Sequence, residues 1–352
     1  MNPLVSCILI TYNSEKFLET FFASLVEQKD TSIELIVIDN NSSDDSVKCA
    51  KEILKGFNAA KKMSVIESVV WIENSNNLGY SGAAEQGVKE SHGEYILIAN
   101  PDIVMEPDYC CRLVERLDAD KKIASVSGKL LRFDFAKYFK TGRLADGKTQ
   151  TIDSSGLVIS KSRRCVDRGQ GLPDDGRYNV IEEVFGVTGA CPLYRKSALI
   201  DAQVGGHVFD PEFFMYKEDV DIAWRLRLVG YTSWYIPDAV AFHGRGTGAI
   251  ERESVSSVIK NRAKLPAFTR QHSYRNERIM RLRNEFVTHV INNFAHILLR
   301  EVQMFGWIVL REPSLLKSFF QFITKIPKTI KERRELFKKA KIVRGEISKW
   351  FI

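Results

Sequence analysis

The chain has 352 residues, 44% of them apolar and 27% charged, a balance that buries a core and excludes a disordered or fibrous chain. Its six cysteines (Cys7, Cys49, Cys110, Cys111, Cys165 and Cys191) form no Cys-x-x-Cys and no His-paired metal spacing, which excludes a zinc ribbon and favours a reducing compartment. The net charge of +7 is uneven: from residue 251 onward 22 lysines and arginines face 9 glutamates and no aspartate, a surplus of +13 over a body of about −6, so the tail is expected to meet an anionic surface.

In chain order, Val5–Thr11 reads as a buried strand ending in Thr11-Tyr12-Asn13-Ser14. Ser14 is placed to cap a helix in which Phe17, Leu18, Phe21, Phe22 and Leu25 recur at helical spacing. Ile33–Ile38 is a second strand, closed by Asp39-Asn40-Asn41-Ser42-Ser43-Asp44 and followed by a helix to about Leu54. Val69–Ile72 is a third, closed by Glu73-Asn74-Ser75-Asn76-Asn77-Leu78-Gly79, with a small-residue helix from Tyr80 to about Lys89. Tyr95–Ala99 is a fourth, and it runs into Asn100-Pro101-Asp102. Strands alternating with helices predict right-handed βαβ units and a mostly parallel sheet. Their polar ends then line one edge, where open α/β sheets bind ligands. The sequence has neither a Gly-x-Gly-x-x-Gly after the first strand nor a Gly-x-x-x-x-Gly-Lys-Ser/Thr loop. Phosphates are therefore not held by a glycine loop, and a metal is the remaining simple device.

After a helix over Pro107–Asp118, Ile123–Phe133 reads as a strand and Lys137–Asp153 as a polar loop. Gly156–Ser160 and Val180–Val187 read as strands around the polar segment Asp167–Arg177, and a helix begins over Arg195–Ile200. Phe209–Gly230 carries Glu218-Asp219-Val220-Asp221 into an amphipathic helix ending at Leu228. Tyr231–Ile236 is a last strand, followed by Pro237-Asp238, Ala239–His243 and a loop over Gly244–Gly248.

The tail is helical by pattern. Leu315, Leu316, Phe319, Phe320, Phe322, Ile323 and Ile326 form an apolar face beside Lys317 and Lys325; Pro327 is expected to break or kink that helix, and Lys331–Lys341 is strongly basic. A basic amphipathic helix with aromatics fits an anionic membrane surface. The other reading is packing on the catalytic body or a contact between copies, which leaves an oligomer open. No zinc-finger, RNP or helix-turn-helix pattern supports nucleic acid as a partner. The start of the chain shows no basic leader, and the longest apolar stretch, Phe286–Leu310, is broken by Asn292-Asn293 and Arg300-Glu301. The expected division is a catalytic region over 1–250 and a helical, basic, membrane-associating region over 251–352.

Three features need one explanation: Asn100-Pro101-Asp102, Glu218-Asp219-Val220-Asp221, and His243. Alone, each has a plain structural reading as a turn former, a helix cap or a structural histidine. Together they suit transfer of a sugar from a nucleotide donor. Asp102 and His243 hold a divalent metal against the donor diphosphate, and one carboxylate of the 218–221 cluster takes the proton of the acceptor hydroxyl. Spacing alone leaves Glu218, Asp219 and Asp221 all open as that base.

Val5-Ser6-Cys7-Ile8-Leu9-Ile10-Thr11-Tyr12-Asn13, Val37-Ile38-Asp39-Asn40-Asn41-Ser42-Ser43-Asp44, Asn77-Leu78-Gly79-Tyr80-Ser81-Gly82, Asn100-Pro101-Asp102, Phe213-Phe214-Met215-Tyr216-Lys217-Glu218-Asp219 and Pro237-Asp238-Ala239 with His243 follow one another over residues 5–247. This series resembles the family 2 glycosyltransferases, and within them the rhamnosyltransferase-like branch that builds bacterial surface polysaccharides such as O-antigen. The resemblance implies a GT-A (Rossmann-like) α/β fold, a mixed and mostly parallel sheet flanked by helices with a helical C-terminal extension. It also implies an inverting displacement and a divalent metal, Mg²⁺ or Mn²⁺.

By position it assigns Thr11, Asn13 and Asp39 to the base and ribose, Asn41, Asn77 and Gly79 to the nucleotide sugar, Asp102 to the last Asp of Asp-x-Asp, and Asp219 to the general base. Asn100 stands where the first Asp of that motif is usual, on the donor side. Glu85 stands where Asn is usual. Arg168, Gly189, Ala190 and Glu218 fall where sugar or acceptor would lie; for Arg168 and Gly189-Ala190 a hairpin turn and close packing are the alternative. Asp153-Ser154-Ser155-Gly156, Arg275-Asn276 and Asn284 also match.

The expectation is a cytoplasmic enzyme, peripheral on the inner face of the membrane. It would move L-rhamnose from dTDP-rhamnose, or another sugar from a UDP or GDP donor, to a lipid-linked saccharide. A catalytically silent nucleotide-sugar-binding or glycan-binding protein is the alternative from another class, and a nucleotidyltransferase is a third.

Overall fold

Three consecutive βα units and a fourth strand build the first part of the chain. The computed structural model describes residues 4–245, 265–342 and 344–352. The units are β1 (Leu4–Thr11), α1 (Glu15–Val26), β2 (Ser32–Asp39), α2 (Ser46–Ala59), β3 (Ile66–Glu73), α3 (Gly79–Glu90) and β4 (Tyr95–Ala99). The order β3-β2-β1-β4 is parallel throughout. Helices cover both faces, so β1, β2 and β4 are almost wholly buried and mostly apolar; the buried Ser6 hydroxyl of β1 donates to Glu34 of β2 at 2.6 Å. Register sets Thr11 beside Asp39 and Asp39 beside Glu73, so the polar strand ends share one edge.

The second part extends the same sheet by non-local pairing. Its elements are β5 (Ile103–Met105), α4 (Tyr109–Ala119), β6 (Ile123–Phe133), α5 (Phe135–Thr141), α6 (Leu144–Gly147), β7 (Lys148–Ser154), β8 (Leu157–Ile159), β9 (Cys165–Asp167), β10 (Glu182–Val184), β11 (Leu193–Arg195), α7 (Lys196–Asp201), α8 (Glu218–Leu228) and β12 (Thr232–His243). β11 lies antiparallel between β4 and β6, and the order continues through β12 to β10. β8 and β9 form a separate hairpin. The sheet is therefore mixed, with its apolar layers on both sides of β1, β4 and β6.

Several expectations change here. Lys137–Asp153 is not a loop. Asp134 caps α5 by accepting from the Lys137 N–H at 3.0 Å, Gly142 closes it in the left-handed region, and β7 pairs with β6. The signal was the helical spacing of Phe135, Tyr138 and Phe139; the first two rings pack with Phe133 and the third packs with Phe135. β5, β9 and β11 are three-residue strands, too short to show a period in sequence. Val180–Val187 shrinks to Glu182–Val184, while β12 runs unbroken through Pro237 because a register shift between Ile236 and Val240 absorbs the proline. Most of the Gly244–Gly248 loop lies outside the described residues.

The tail comprises α9 (Ala267–Asn284), α10 (Val287–Asn292), α11 (Phe294–Arg311), α12 (Leu315–Lys339) and α13 (Arg344–Ser348). Pro327 does not end its helix: α12 continues through it, with Thr329, Glu332 and Leu336 buried beyond. The expected apolar face divides, with Leu315 buried while Leu316, Phe319, Phe320 and Ile323 stay exposed. No helix of the described residues is long and apolar enough to cross a membrane. The boundary expected at residue 250 falls outside the described residues, and α9 and α12 pack on each other and on α8. Near the end of the chain, Phe351 pairs with Ile159 and packs on Trp224.

Candidate active site

The ends of β1, β2 and β3 and the start of α3 make a polar shelf. Asp39 accepts from the Thr11 hydroxyl at 2.8 Å and from the Ser42 N–H at 2.8 Å, and the Ser42 hydroxyl donates a third bond. Three of about four acceptor positions are thus filled, which fixes the carboxylate and leaves one for a ligand. Asn13 and Asn41 sit in the left-handed region that asparagine tolerates, and the Asn13 side-chain oxygen accepts from the Ser43 N–H at 2.8 Å. Asn77 accepts from the Gly79 N–H at 2.8 Å and Asn40 donates to the Gly79 carbonyl at 3.0 Å. Gly79, at φ +73°, could carry no side chain: a Cβ would lie 2.3 Å from the Phe214 carbonyl oxygen.

The Asn100-Pro101-Asp102 turn meets His243 through strand pairing. Ile103 of β5 pairs with His243 of β12, and the Gly244 N–H donates to the Asp102 carbonyl at 2.9 Å. His243 Nε2 then lies 3.4 Å from Asp102 Oδ1 and 3.4 Å from Asn100 Nδ2. Its Nδ1 is 2.8 Å from Asp153 Oδ2, an acid at the end of β7 that also holds Arg245. Asp153 thereby keeps Nδ1 protonated and aims Nε2 at Asp102, the carboxylate–histidine arrangement of metal ligands. Burial opposes charge on this imidazole, but Asp102 and Asp153 outweigh it and hold its pKa at about 10. No cluster of three metal-ligating side chains occurs among the described residues. Asp102 and His243 fit a cation whose remaining positions are filled by donor oxygens.

The acidic cluster at the start of α8 divides cleanly. Asp221 is fully buried and committed: it accepts from Arg225 Nε at 2.9 Å, Arg283 Nη1 at 3.0 Å and Asn284 Nδ2 at 2.9 Å. That removes it as a base. Glu218 and Asp219 are half-buried neighbours. Burial and the adjacent carboxylates push Glu218 up to about 8, and burial raises Asp219 as well. Asp219 Oδ2 accepts from the Gly189 N–H at 3.4 Å, while the Gly189 carbonyl accepts from the Tyr80 hydroxyl at 2.6 Å. The next residue, Ala190, accepts the Asn100 N–H at 2.9 Å. Gly189 and Ala190 thus tie the acidic pair to the Asp102 turn through two consecutive peptide groups.

The segment before this pair is strained. Phe214, Tyr216 and Lys217 all have positive φ, of 62°, 69° and 75°, which is costly for bulky residues at about 1–3 kcal/mol each. The tail holds them. Asn276 of α9 donates to the carbonyls of Phe213, Met215 and Tyr216 at 2.8–2.9 Å. Arg283, fully buried, pairs with Asp210, Asp221 and Glu332.

Arg168 is engaged elsewhere: its guanidinium holds Glu182 and the Ser155 carbonyl and lies near the Tyr178 and Tyr235 rings. Glu85 is buried and accepts from the Val208 and Phe209 N–H groups at 2.9 and 3.0 Å, so it shapes the turn before Asp210. Asp153 matched the series above without a role, and Tyr80 with the Asn276 and Arg283 anchors went unassigned. Each acts through a partner more than 60 residues away, which spacing does not reveal.

The model of the family described as glycosyl transferase family 2 matches residues 6–201. Poly-beta-1,6-N-acetyl-D-glucosamine synthase of Staphylococcus aureus is 25% identical over 238 residues, 68% of this chain and 49% of that protein. Its Staphylococcus epidermidis counterpart is 26% identical over the same length and shares. This chain therefore spans about half the length of the relatives it matches. Among solved structures, Staphylococcus aureus TarS 1–349 in complex with UDP-GlcNAc aligns with a TM-score of 0.54 at 15% identity, over 95% of this chain and 88% of that one. GalNAc-T7 with UDP, GalNAc and Mn²⁺ gives 0.56 at 12%, over 79% and 47%. The mannosyltransferase PcManGT from Pyrobaculum calidifontis with GDP-Man and Mn²⁺ gives 0.52 at 14%, over 99% and 88%. At these identities the structures establish the GT-A fold.

Proposed function

We propose, from the premise that this chain belongs to glycosyl transferase family 2, that it moves a sugar from a nucleoside diphosphate to an acceptor hydroxyl by one inverting displacement. The observation that carries this reading is the Gly189–Ala190 bridge, 3.4 Å from Asp219 on one side and 2.9 Å from the Asn100 amide on the other. It sets a proton acceptor opposite a diphosphate-binding turn.

Asp39, Thr11 and Asn13 hold the base and ribose, with Asn41, Asn77 and Gly79 against the nucleotide sugar. Asp102 and His243 hold Mg²⁺ or Mn²⁺, which when bound neutralises charge on the departing diphosphate. Asn100 faces the donor sugar. Asp219, made more basic by burial, takes the acceptor proton as the hydroxyl oxygen bonds to the anomeric carbon and the bond to the diphosphate breaks. Gly189 and Ala190 line the path between donor sugar and acceptor.

The motif series favours dTDP-L-rhamnose, and the polymer named for the matched synthases favours an N-acetylglucosamine donor. The acceptor is a lipid-linked saccharide of a surface polysaccharide, reached from the inner face of the membrane through the basic tail. Purified full-length chain incubated with dTDP-L-rhamnose, UDP-GlcNAc and GDP-mannose in turn, with Mn²⁺, is expected to release nucleoside diphosphate from one of them and to stop on chelation. Consumption of none, or turnover indifferent to the chelator, overturns the reading or its metal.

A further inference from the structure

A cavity of about 720 Å³ opens beside the acidic pair, between β9, the start of α8, α9 and α11. Lys217, Arg164, Arg300 and His296 line it, against Glu277 as its carboxylate. Glu277 is already bound by Arg300, at 2.5 Å. The ammonium of Lys217, the residue before Glu218, has no hydrogen bond or ion pair among the described residues, and Asp219, Cys165 and Glu277 all feel its charge. The cavity therefore holds surplus positive charge one residue from the acidic pair. Its volume suits a phosphate with part of a sugar.

The outer wall is α11. Leu299 and Gln303 line the cavity from this helix, and Leu299 is 61% exposed. From Leu299 the exposed apolar surface runs on through Leu298, Val302, Phe305, Val309 and Leu310. Among the described residues no helix can cross a bilayer, so α11 presents this face sideways rather than spanning. A cationic cavity whose mouth continues into a hydrocarbon-compatible stripe matches an anion with a long apolar chain. Free phosphate lacks the chain, and an uncharged glycolipid lacks the anion.

We infer that this cavity seats the phosphate of a lipid-linked acceptor, with its hydrocarbon chain along α11 and its sugar passing Lys217 to reach Asp219. The inference rests on the transferase reading and names where its acceptor binds.

The test uses the full chain and farnesyl phosphate, with farnesol and inorganic phosphate as the separated halves, read by titration calorimetry. Farnesyl phosphate is expected to bind saturably and at least ~10-fold more tightly than either half. Leu299→Glu and Gln303→Glu place a carboxylate at the mouth on exposed positions; each is expected to weaken farnesyl phosphate ~10-fold while thermal unfolding matches the parent chain. Equal binding of farnesol and farnesyl phosphate, or equal binding by parent and variants, overturns the proposal. So does a farnesyl phosphate signal that vanishes when light scattering shows α11 buried between copies of the chain. Donor hydrolysis by the parent chain, measured alongside without acceptor, separates the two failures. Its absence strikes the transferase reading, whereas its presence with no selective farnesyl phosphate binding strikes the cavity.

Discussion

The donor shelf and the acceptor half are built in opposite ways. On the shelf, each polar turn follows its own strand and binds a near neighbour: Thr11 reaches Asp39 across 28 residues and Asn13 reaches Ser43 across 30. Most partners are neutral amides and hydroxyls. In the acceptor half, buried charges are satisfied from far away: Asn284 reaches Asp221 across 63 residues, Arg283 reaches Asp210 across 73 and His243 reaches Asp153 across 90. The shelf is a local product of βα units, while the segment before the acidic pair depends on the tail: Asn276 holds its backbone and Arg283 balances the charge of Asp210 and Asp221 beside it.

The largest effect should separate chemistry from donor binding. Asp219→Asn is expected to lower turnover by roughly 10²–10⁴-fold while leaving the nucleotide-sugar dissociation constant unchanged. Near-normal turnover would move the base to Glu218. Next comes the tail's charge anchor. Arg283→Leu takes the shared cation from Asp210, Asp221 and Glu332, which keep only Lys328 or Arg225, and denaturant unfolding should show a loss of about 3 kcal/mol, the low end of the cost when a buried pair loses one partner. An unchanged midpoint would break the contrast between the halves.

Asn276→Leu is expected to be milder. It leaves the Met215 and Tyr216 carbonyls of the strained segment without a donor, at about 1–3 kcal/mol, and should reduce turnover with little change in donor affinity. A parallel loss of donor affinity would show that the shelf leans on the tail after all.

The smallest effect is a pH dependence. Glu218 holds its proton up to about 8 when folded, against an ordinary value of 4.5. Between those values the folded state carries the extra proton, so stability falls as pH rises across that window. Turnover should rise over the same window as the acidic pair ionises. Glu218→Gln is expected to flatten the fall in melting temperature and to stand above the parent chain at pH 8. A parent chain whose melting temperature rises from pH 5 to 8 would remove Glu218 as a proton-holding group.

This contrast also explains what could be read in advance. β1, β4 and β6 were legible to within a residue because a fully buried strand declares itself as an apolar run bounded by polar turns. Asp102 and His243 were legible as candidates for one site, and the structure brings them within 3.4 Å. The choice against Asp221 was not legible, because it depends on Arg283 and Asn284 arriving from α9. Nor was Asp153, which reaches His243 only when β7 pairs with β6 beside β12. The Lys137–Asp153 segment misread as a loop for a related reason: its helix and strand are short and amphipathic, and their apolar partners lie on other elements.

The Arg283 contacts also have a consequence in time. A ribosome adding roughly 5–20 residues per second needs about 3–12 s to make the 62 residues that separate Asp221 from Arg283, and longer to reach Glu332. Until then Asp210 and Asp221 have no Arg283 and must stay hydrated, so α8 cannot settle. The parallel strands β1 to β4 pair with one another without Arg283. The growing chain is thus able to pair its parallel strands before the acidic pair is set.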